Sequence, residues 1–266
     1  MLMKNVSIKN DNDIRKFFHN IGLSELVKLA DSCVDKDNIG INTSLNSPSG
    51  VKDASPYLPV LADLYVLYNL VTNNKRTTIL EFGVGWSSLI FAKALNENKK
   101  KFFNEARGLR RNNCFEVHSV DNEKEYLDIT KGRIPEEISD NSDVNMTTFN
   151  GRIATEYQTL PLVSPDLIYI DGPDQFNVKG SINGISTAHN DMMPMSCDLL
   201  KIEDFLIPGT IIVMDGRGAN ARFLKANLQR NWKYEYTEHD HHIFYLKEEP
   251  LGKINKKQLD FYKGGP

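Results

Sequence analysis

A strand, a glycine turn and a helix follow one another within residues 79–95, and this arrangement constrains the fold more than any other part of the chain. The segment reads ILEFGVGWSSLIFAKAL, in which Glu81 ends an apolar run and Gly83 and Gly85 follow it. Glycines lack a Cβ, so the backbone can turn sharply and come into contact with a ligand. The segment therefore predicts a nucleotide-sized slot at the end of a buried strand.

Short β-rich runs alternate with helical runs after residue 76, which is typical of βαβ units. This alternation predicts an α/β fold: a doubly wound, Rossmann-like, mostly parallel sheet that ends in a C-terminal antiparallel hairpin. The strands are expected at 77–82, 114–120, 144–149, 167–170, 210–214, 233–237 and 243–247. The helices are expected at 87–95, 123–131, 153–158, 197–206 and 219–229.

Helical spacing of apolar residues also precedes this region, at 14–30 and 56–71. Between them, residues 38–55 are rich in Asn, Ser, Gly and Pro, which indicates an exposed loop or lid. The chain therefore divides into an N-terminal helical extension with a lid loop, a ligand-binding domain and a C-terminal tail. Their expected bounds are 1–73, 74–249 and 250–266. A basic insertion at 96–113 and a long loop at 172–193 are expected to project from the scaffold, and the second is expected to be functional.

Composition excludes several classes of protein. The 266 residues carry a net charge of −3, so we expect neither nucleic acid nor an anionic membrane as a partner. Three widely spaced cysteines argue against a disulfide framework and for reduced thiols. The polar N-terminal segment does not resemble a secretory signal, and no apolar run is long enough to cross a bilayer. A cytoplasmic protein is expected, and a homodimer stays open.

The residues around the glycine turn indicate which nucleotide is bound. A dinucleotide-binding loop would have a third glycine where this chain has Ser88. The carboxylate of Glu81 would repel a pyrophosphate but can accept a hydrogen bond from an ammonium group. We therefore expect a ligand that carries a cation and no phosphate. An NAD(P)-dependent oxidoreductase or epimerase, and a non-catalytic nucleotide-fold binding protein, stay open as alternatives.

The segment EFGVGWS resembles the first motif of class I S-adenosylmethionine (SAM)-dependent methyltransferases, and later landmarks resemble that family in the same order. The resemblance implies SAM as cofactor. It places Asp121 on the ribose hydroxyls, and Gly151 and Arg152 along the adenine. The cofactor-binding residues that it implies are Glu81, Gly83, Gly85, Ser87, Asp121, Gly151, Arg152 and Asp171.

The strand ends IDGPD and MDGR look closest to small-molecule and sugar O-methyltransferases. This implies methyl transfer to a hydroxyl, or less readily an amine, of a small molecule or sugar. In some relatives the acids at these places hold a divalent cation, so Asp171 and Asp215 are candidate Mg²⁺ ligands and Asp174 a third ligand or a base. Metal-dependent relatives commonly have two acids in a row at the second place, where this chain continues with Gly216 and Arg217.

Candidate catalytic residues are Asp171, His189 and Asp215. A histidine has the pKa range to take a proton from a hydroxyl, and His189 lies in the long loop. Arg217 is expected either to clamp an acidic substrate or to pair with Asp215. Adjacent side chains on alternating strands point to opposite faces, so His241 and His242 are not expected to converge on a metal. The EHDHH segment is therefore interpreted as a polar hairpin turn and not as a metal site.

Overall fold

The computed structural model describes residues 6–7, 9–32, 58–134, 138–189, 192–193, 195–237 and 239–263. The predicted lid at 38–55 lies outside the described residues, as does Cys33. Cys114 and Cys197 are free thiols. Among the described helices, none has the length and apolar character needed to span a membrane.

The N-terminal helical segments form a broken helix and a longer helix, close to where they were predicted. The helices of the described chain are α1 (Asp11–Asn20), α2 (Ser24–Asp31), α3 (Leu61–Asn73), α4 (Trp86–Ala106), α5 (Lys124–Arg133), α6 (Asp198–Ile202), α7 (Gly218–Asn227) and α8 (Gly252–Lys263). The strands are β1 (Thr78–Phe82), β2 (Glu116–Asp121), β3 (Ile138–Asn141), β4 (Val144–Phe149), β5 (Arg152–Tyr157), β6 (Leu167–Ile170), β7 (Val178–Lys179), β8 (Ile211–Asp215), β9 (Trp232–Tyr236) and β10 (His241–Leu246).

Seven strands form the main sheet, in the order β3-β2-β1-β6-β8-β10-β9. The first five are parallel, and β10 and β9 add an antiparallel hairpin at one edge. This order and its antiparallel end define the Rossmann-like sheet of the class I methyltransferase fold, which confirms the predicted fold class. Parallel strands bring their carboxyl ends to one edge of the sheet, where ligands of open α/β folds bind.

Apolar layers cover both faces of the main sheet. The register sets side chains of alternate residues on opposite faces, as the period of a strand requires. One face, with Ile79, Leu167 and Ile211, packs against α1 to α4. The other face, with Leu80 and Ile168, packs against α6, α7 and the smaller sheet of β5, β4 and β7.

Two assignments from the sequence are wrong, one of a strand and one of a helix. The third strand of the main sheet is β3, and the predicted strand at 144–149 is β4 of the smaller sheet. The predicted helix at 153–158 is the strand β5, which pairs antiparallel with β4. Asn150 and Gly151 join them with positive φ angles of 48° and 75°, the conformation of a two-residue hairpin turn. An Asn-Gly pair is a strong hairpin signal, and it overrides the weak helical spacing that follows.

The basic segment at 96–113 is largely helical and packed, contrary to the expectation of a projecting insertion. Helix α4 continues through it to Ala106. The buried Asn98 amide donates to the carbonyls of Val71 and Arg76 at 3.1 and 2.9 Å, which ties α4 to the end of α3. Phe102 contacts Phe261 of α8 edge to face. This segment therefore supports the scaffold at the end of the sheet opposite the candidate site.

Candidate active site at the carboxyl edge of the sheet

The two glycines of the first turn have different roles. Gly83 has a φ of +87°, and a Cβ on it would lie 2.7 Å from the backbone nitrogen of Gly172. The reverse holds as well, since a Cβ on Gly172 would lie 2.6 Å from the Gly83 nitrogen. Gly85 has extended backbone, and nothing lies within 4 Å of where its Cβ would be. Gly83 therefore lets two turns pack backbone to backbone, and Gly85 leaves open space for a ligand.

Glu81 is fully buried behind this turn. Its carboxylate accepts hydrogen bonds from the hydroxyls of Ser87, Ser88 and Ser119 at 2.6, 2.7 and 2.7 Å. Ser88 also accepts the Gly85 N–H at 3.2 Å. Glu81 and Ser87, both predicted to contact the cofactor, thus join β1, β2 and the first turn of α4. The structure does not support the predicted direct contact between Glu81 and a ligand ammonium group, because a side chain without accessible surface cannot reach a ligand.

Asp121 lies beside the turn, and its contact with the ribose hydroxyls stays a prediction. It ends β2 and is 4 % exposed. One carboxylate oxygen accepts the N–H of Val84 and the other that of Glu123, both at 2.8 Å. Burial raises the pKa of Asp121 to about 7, against the opposing effect of these hydrogen bonds. The carboxylate is therefore fixed in position next to the space at Gly85.

Asp171 directly follows β6 and Asp215 ends the neighbouring strand β8, and the strand register places both side chains on the same face of the sheet. The Asp171 side chain is 53 % exposed, and the Arg217 Nε lies 3.6 Å from its Oδ1. The same guanidinium donates to the backbone carbonyls of Asp171 and Pro173. Burial, with repulsion from Asp171 and other nearby carboxylates, raises the pKa of Asp215 to about 7. Arg217 thus pairs with Asp171 and holds the turn after β6.

The residues do not fit the Mg²⁺ site that the resemblance suggested. Asp174 accepts the N–H groups of Phe176 and Asn177 at 2.7 and 2.9 Å, so its carboxylate caps its own turn. Among the described residues, no group of three or more His, Cys, Asp or Glu side chains is arranged to hold a metal ion. Arg217 already supplies a positive charge next to Asp171. We therefore assign no metal ligands to Asp171 or Asp215.

Gly151 and Arg152 are not brought to this edge. They lie at the turn between β4 and β5, where Arg152 donates to Asn227 at 3.0 Å. Asn227 is the last residue of α7, which begins at the carboxyl edge and runs about 15 Å away from it. Ser142 and Asp143 follow the actual third strand instead, and the Ser142 N–H donates to the Asp121 carbonyl at 2.9 Å. In the sequence, the Asn150-Gly151 pair indicated the hairpin of β4 and β5 that places these two residues away from the edge.

His189 lies on an exposed part of the loop after β6. Its backbone carbonyl accepts the Gln175 side-chain amide at 2.7 Å and the Met192 N–H at 2.9 Å. These bonds order the loop around it. A catalytic role for His189 stays a prediction.

His241 is one residue at this edge that sequence reasoning missed. It is fully buried, and its register partner on β8 is Asp215. Its Nε2 lies 4.0 Å from the Asp215 Oδ1, and burial lowers its pKa to about 4, so the ring is neutral at pH 7. As predicted, His242 points to the other face, where its ring lies 2.9 Å from the Tyr234 hydroxyl. His241 lies two residues before the apolar Ile243, and this spacing was the signal that both side chains lie on the buried face of β10 that Asp215 shares.

Asp63 was also missed. It lies in the first turn of α3, and its pKa is raised to about 6 by burial. Asp171 and Asp240 raise it further, and His239 opposes them. No sequence signal places Asp63 near the strand ends, because α3 comes close to them only in the folded chain.

No family model matches this sequence, and no curated protein matches it. Solved structures that resemble it are distant. The O-methyltransferase TomG from Streptomyces achromogenes, in complex with SAM, is 13% identical, with 85% of this chain and 96% of that chain covered and a TM-score of 0.38. The methyltransferase PaMTH1 from Podospora anserina, bound to S-adenosylhomocysteine (SAH), is 11% identical, with 92% and 100% covered and a TM-score of 0.43.

A methyltransferase-like protein from Silicibacter pomeroyi is 13% identical, with 80% of this chain and 100% of that chain covered and a TM-score of 0.35. At such identities and TM-scores these likenesses carry no argument about this chain. Its fold class rests on its own strand order and the antiparallel hairpin at the sheet edge.

Proposed function

We propose that the protein is a SAM-dependent methyltransferase acting on a hydroxyl or an amine of a small molecule or sugar. One observation carries the proposal: the open space at Gly85 lies beside the fixed, buried carboxylate of Asp121, at the carboxyl edge of a class I methyltransferase sheet. That edge is where open α/β sheets bind nucleotides.

The residues at this edge fit an adenosyl cofactor. A carboxylate has about four acceptor positions, and the two backbone N–H groups on Asp121 leave others for the ribose hydroxyls. The absence of a side chain at Gly85 gives the cofactor room to pass the turn. Helix α4 begins at Trp86, and its N-terminus favours a negative group such as the amino-acid carboxylate of SAM.

When bound, SAM supplies an electrophilic methyl group on a sulfonium. The chain's contribution is to hold the acceptor atom in line with that methyl, and such positioning reaches effective molarities of about 10⁵–10⁸ M in well-oriented reactions. Among the predicted catalytic residues, we propose Asp215 as the base that takes the acceptor's proton. A base works best when its pKa lies near the working pH, and the pKa of Asp215 is raised to about 7.

Isothermal titration with SAH, SAM and NAD⁺ tests the proposal. We expect SAH and SAM to bind and NAD⁺ not to bind. No heat with either adenosyl compound would overturn the proposal, and tight NAD⁺ binding would favour the oxidoreductase alternative. Binding of SAM without any methyl transfer to a broad acceptor panel would favour a non-catalytic binding protein.

Asp121→Asn is expected to weaken SAH binding by about 10- to 100-fold at pH 8, because hydrogen bonds to a charged group contribute about 1.5–3 kcal/mol. The matched control is Asp204→Asn, which makes the same change at an exposed position near the opposite edge of the sheet. Titration of both variants with SAH measures the difference. Equal affinities would remove Asp121 from the cofactor site.

The affinity for SAH is expected to rise with pH up to about 7 and then level off. Hydroxyl donors favour the ionised carboxylate of Asp121, whose pKa is about 7 without a ligand. Binding therefore lowers that pKa and releases a proton, so the affinity rises by at most about tenfold per pH unit below 7. Titrations from pH 5.5 to 8.5 check this, and Asp121→Asn should flatten the profile. An affinity that falls over this range would contradict the assignment.

A further inference from the structure

We infer that the acceptor is an apolar aromatic compound whose ring system binds in a cavity between the smaller sheet, the loop after β6 and the first turn of α7. The inference rests on the proposed function and deepens it, because it names the chemical class of the acceptor. It selects an aromatic small molecule over a sugar, and either a hydroxyl or an amine of that molecule can be the methylated group.

The cavity is large enough for a ring system. Its volume is about 330 Å³. A cavity of about 150 Å³ already holds a benzene ring, so this one has room for two fused rings. Strands β4 and β5 line one side, the loop after β6 lines another, and Ala219 of α7 completes the described lining.

The cavity adjoins the carboxyl edge of the main sheet. Ala219 lies in the first turn of α7, shortly after the end of β8. On β5, Thr155 lines the cavity, and Tyr157 lies two residues further along on the same face, about 7 Å away. The Tyr157 hydroxyl reaches the turn after β6, 2.8 Å from where a Cβ on Gly172 would lie. One face of β5 therefore runs from the cavity to the turn that packs against Gly83.

The lining offers few hydrogen bonds to a ligand. None of the described lining residues carries a charge, and the polar side chains among them are Thr155, Ser186 and Thr187. Thr187 donates to the Gln175 carbonyl at 2.7 Å, and the Ser186 hydroxyl accepts the Ala188 N–H at 3.3 Å. Thr155 is buried, and its hydroxyl has no hydrogen-bond partner among the residues that the structure describes.

This chemistry disfavours a sugar or a charged acceptor. Each sugar hydroxyl would lose its hydrogen bonds to water, and burying a polar group without a new partner is costly. A charged group would lose its hydration without meeting an opposite charge in the described lining. An apolar ring instead gains free energy roughly in proportion to the area that leaves water.

Methionines make the lining suited to an aromatic ring. Four of the seven methionines of the chain lie there, namely Met146, Met192, Met193 and Met195. A methionine side chain is flexible, fills irregular space and makes favourable contacts between its sulfur and an aromatic ring. Met192, Met193 and Ile185 are also exposed, and such a group of exposed apolar side chains beside a concave surface marks a binding place.

Hydrogen bonds hold the loop wall of the cavity in place. The Thr155 N–H donates to the Met195 carbonyl at 3.0 Å, and the Cys197 N–H donates to the Thr155 carbonyl at 2.9 Å. The bond from Thr187 to Gln175 ties the same loop to the turn after β6. Ligand sites are usually largely formed before binding, and such a site loses less conformational entropy when the ligand enters.

The test uses the full chain with ¹³C-labelled methionine methyl groups, saturated with SAH, whose binding is established first. The probes at pH 7.5 are 2-naphthol, an apolar aromatic hydroxyl compound, and methyl glucoside, a neutral sugar. Single methionine-to-leucine variants assign the NMR signals. We expect 2-naphthol to shift the methyl signals of the four lining methionines and methyl glucoside to shift none of them. Met214, fully buried in the core, should move much less and serves as the internal reference.

Two matched variants locate the binding of 2-naphthol. Ala219→Trp and Ala226→Trp make the same change at exposed positions near opposite ends of α7, and Ala219 is the one that lines the cavity. Ala219→Trp should weaken the affinity for 2-naphthol about tenfold or more, because the indole takes the space of the ligand ring. Ala226→Trp should leave that affinity within about twofold of the parent.

Three results would each overturn the inference: no shift of the lining methionines by 2-naphthol at millimolar concentration, equal shifts by methyl glucoside, or equal affinities of the two tryptophan variants. If SAH binds and one of these results follows, the proposed function survives and the aromatic acceptor assignment fails. Failure of SAH to bind overturns the proposed function itself, and the inference with it.

Discussion

Gly85→Thr is expected to weaken SAH binding by about 100-fold or more, about 2.7 kcal/mol, while the protein stays folded. The backbone at Gly85 is extended and nothing lies within 4 Å of its missing Cβ, so the fold accepts a side chain there. Threonine and glycine are also similar as helix N-caps, the position that Gly85 has in front of α4. The new side chain would instead occupy the space that we assign to the cofactor. Titration with SAH, with thermal unfolding of the same sample, measures both effects.

Gly83→Ala is the matched control, because it makes a smaller change two residues away and should have the opposite effect. A Cβ on Gly83 meets the backbone of the turn after β6 at 2.7 Å, and its φ of +87° is strained for any residue with a side chain. We expect a loss of about 2–4 kcal/mol of folding free energy. If Gly85→Thr unfolds the protein, or binds SAH like the parent, the division of roles between the two glycines is wrong.

Asp166→Ala is expected to lower the free energy of unfolding by about 3–5 kcal/mol, which lowers Tm by about 10 °C in a chain of this size. Asp166 is fully buried before β6. Its carboxylate accepts the Thr77 and Thr78 N–H groups at 2.9 and 3.0 Å and the Tyr262 hydroxyl at 2.9 Å. Arg111 lies 3.8 Å away, almost fully buried. Removing the carboxylate leaves these buried donors without an acceptor and the Arg111 guanidinium without its opposite charge.

This network joins the amino end of β1 to helix α8, so its loss should also loosen the C-terminal helix. Chemical denaturation of Asp166→Ala gives the free energy, and limited proteolysis near residue 250 reports on α8. Asp204→Ala, an exposed change, should stay within about 0.5 kcal/mol of the parent. A loss below about 1 kcal/mol for Asp166→Ala would show that the buried charges contribute little net stability. SAH binding should persist at low temperature, since the network lies at the edge opposite the site.

The sequence predicted the local structure best where one segment contains the whole signal. The strand, glycine turn and helix at 79–95 follow from apolar spacing and two glycines, and all of them are present in the structure. Asp121 ends β2, as the short β-rich run before it predicted. Prediction failed at β4 and β5, where a hairpin signal at Asn150 and Gly151 competed with weak helical spacing. Because of that error, adenine contacts were predicted at Gly151 and Arg152, which lie at the β4–β5 turn and not at the carboxyl edge.

Other features depended on contacts between distant segments. The serine hydroxyls around Glu81 come partly from β2, so the burial of this carboxylate depends on the pairing of β1 with β2. The approach of Asp63, Asp215 and His241 depends on α3 packing over the sheet and on β10 pairing with β8. The local sequence of each segment does not indicate which strand or helix it contacts in the folded chain.

The sequence by itself determined the alternation of strands and helices, the open glycine turn and the acids at the strand ends, because backbone propensity and residue spacing act over a few residues. Only the tertiary structure decided which acid is buried behind the turn and which strand ends are neighbours at the carboxyl edge. Side-chain burial and charge proximity arise from strand order and layer packing, and these bring together residues that are far apart along the chain.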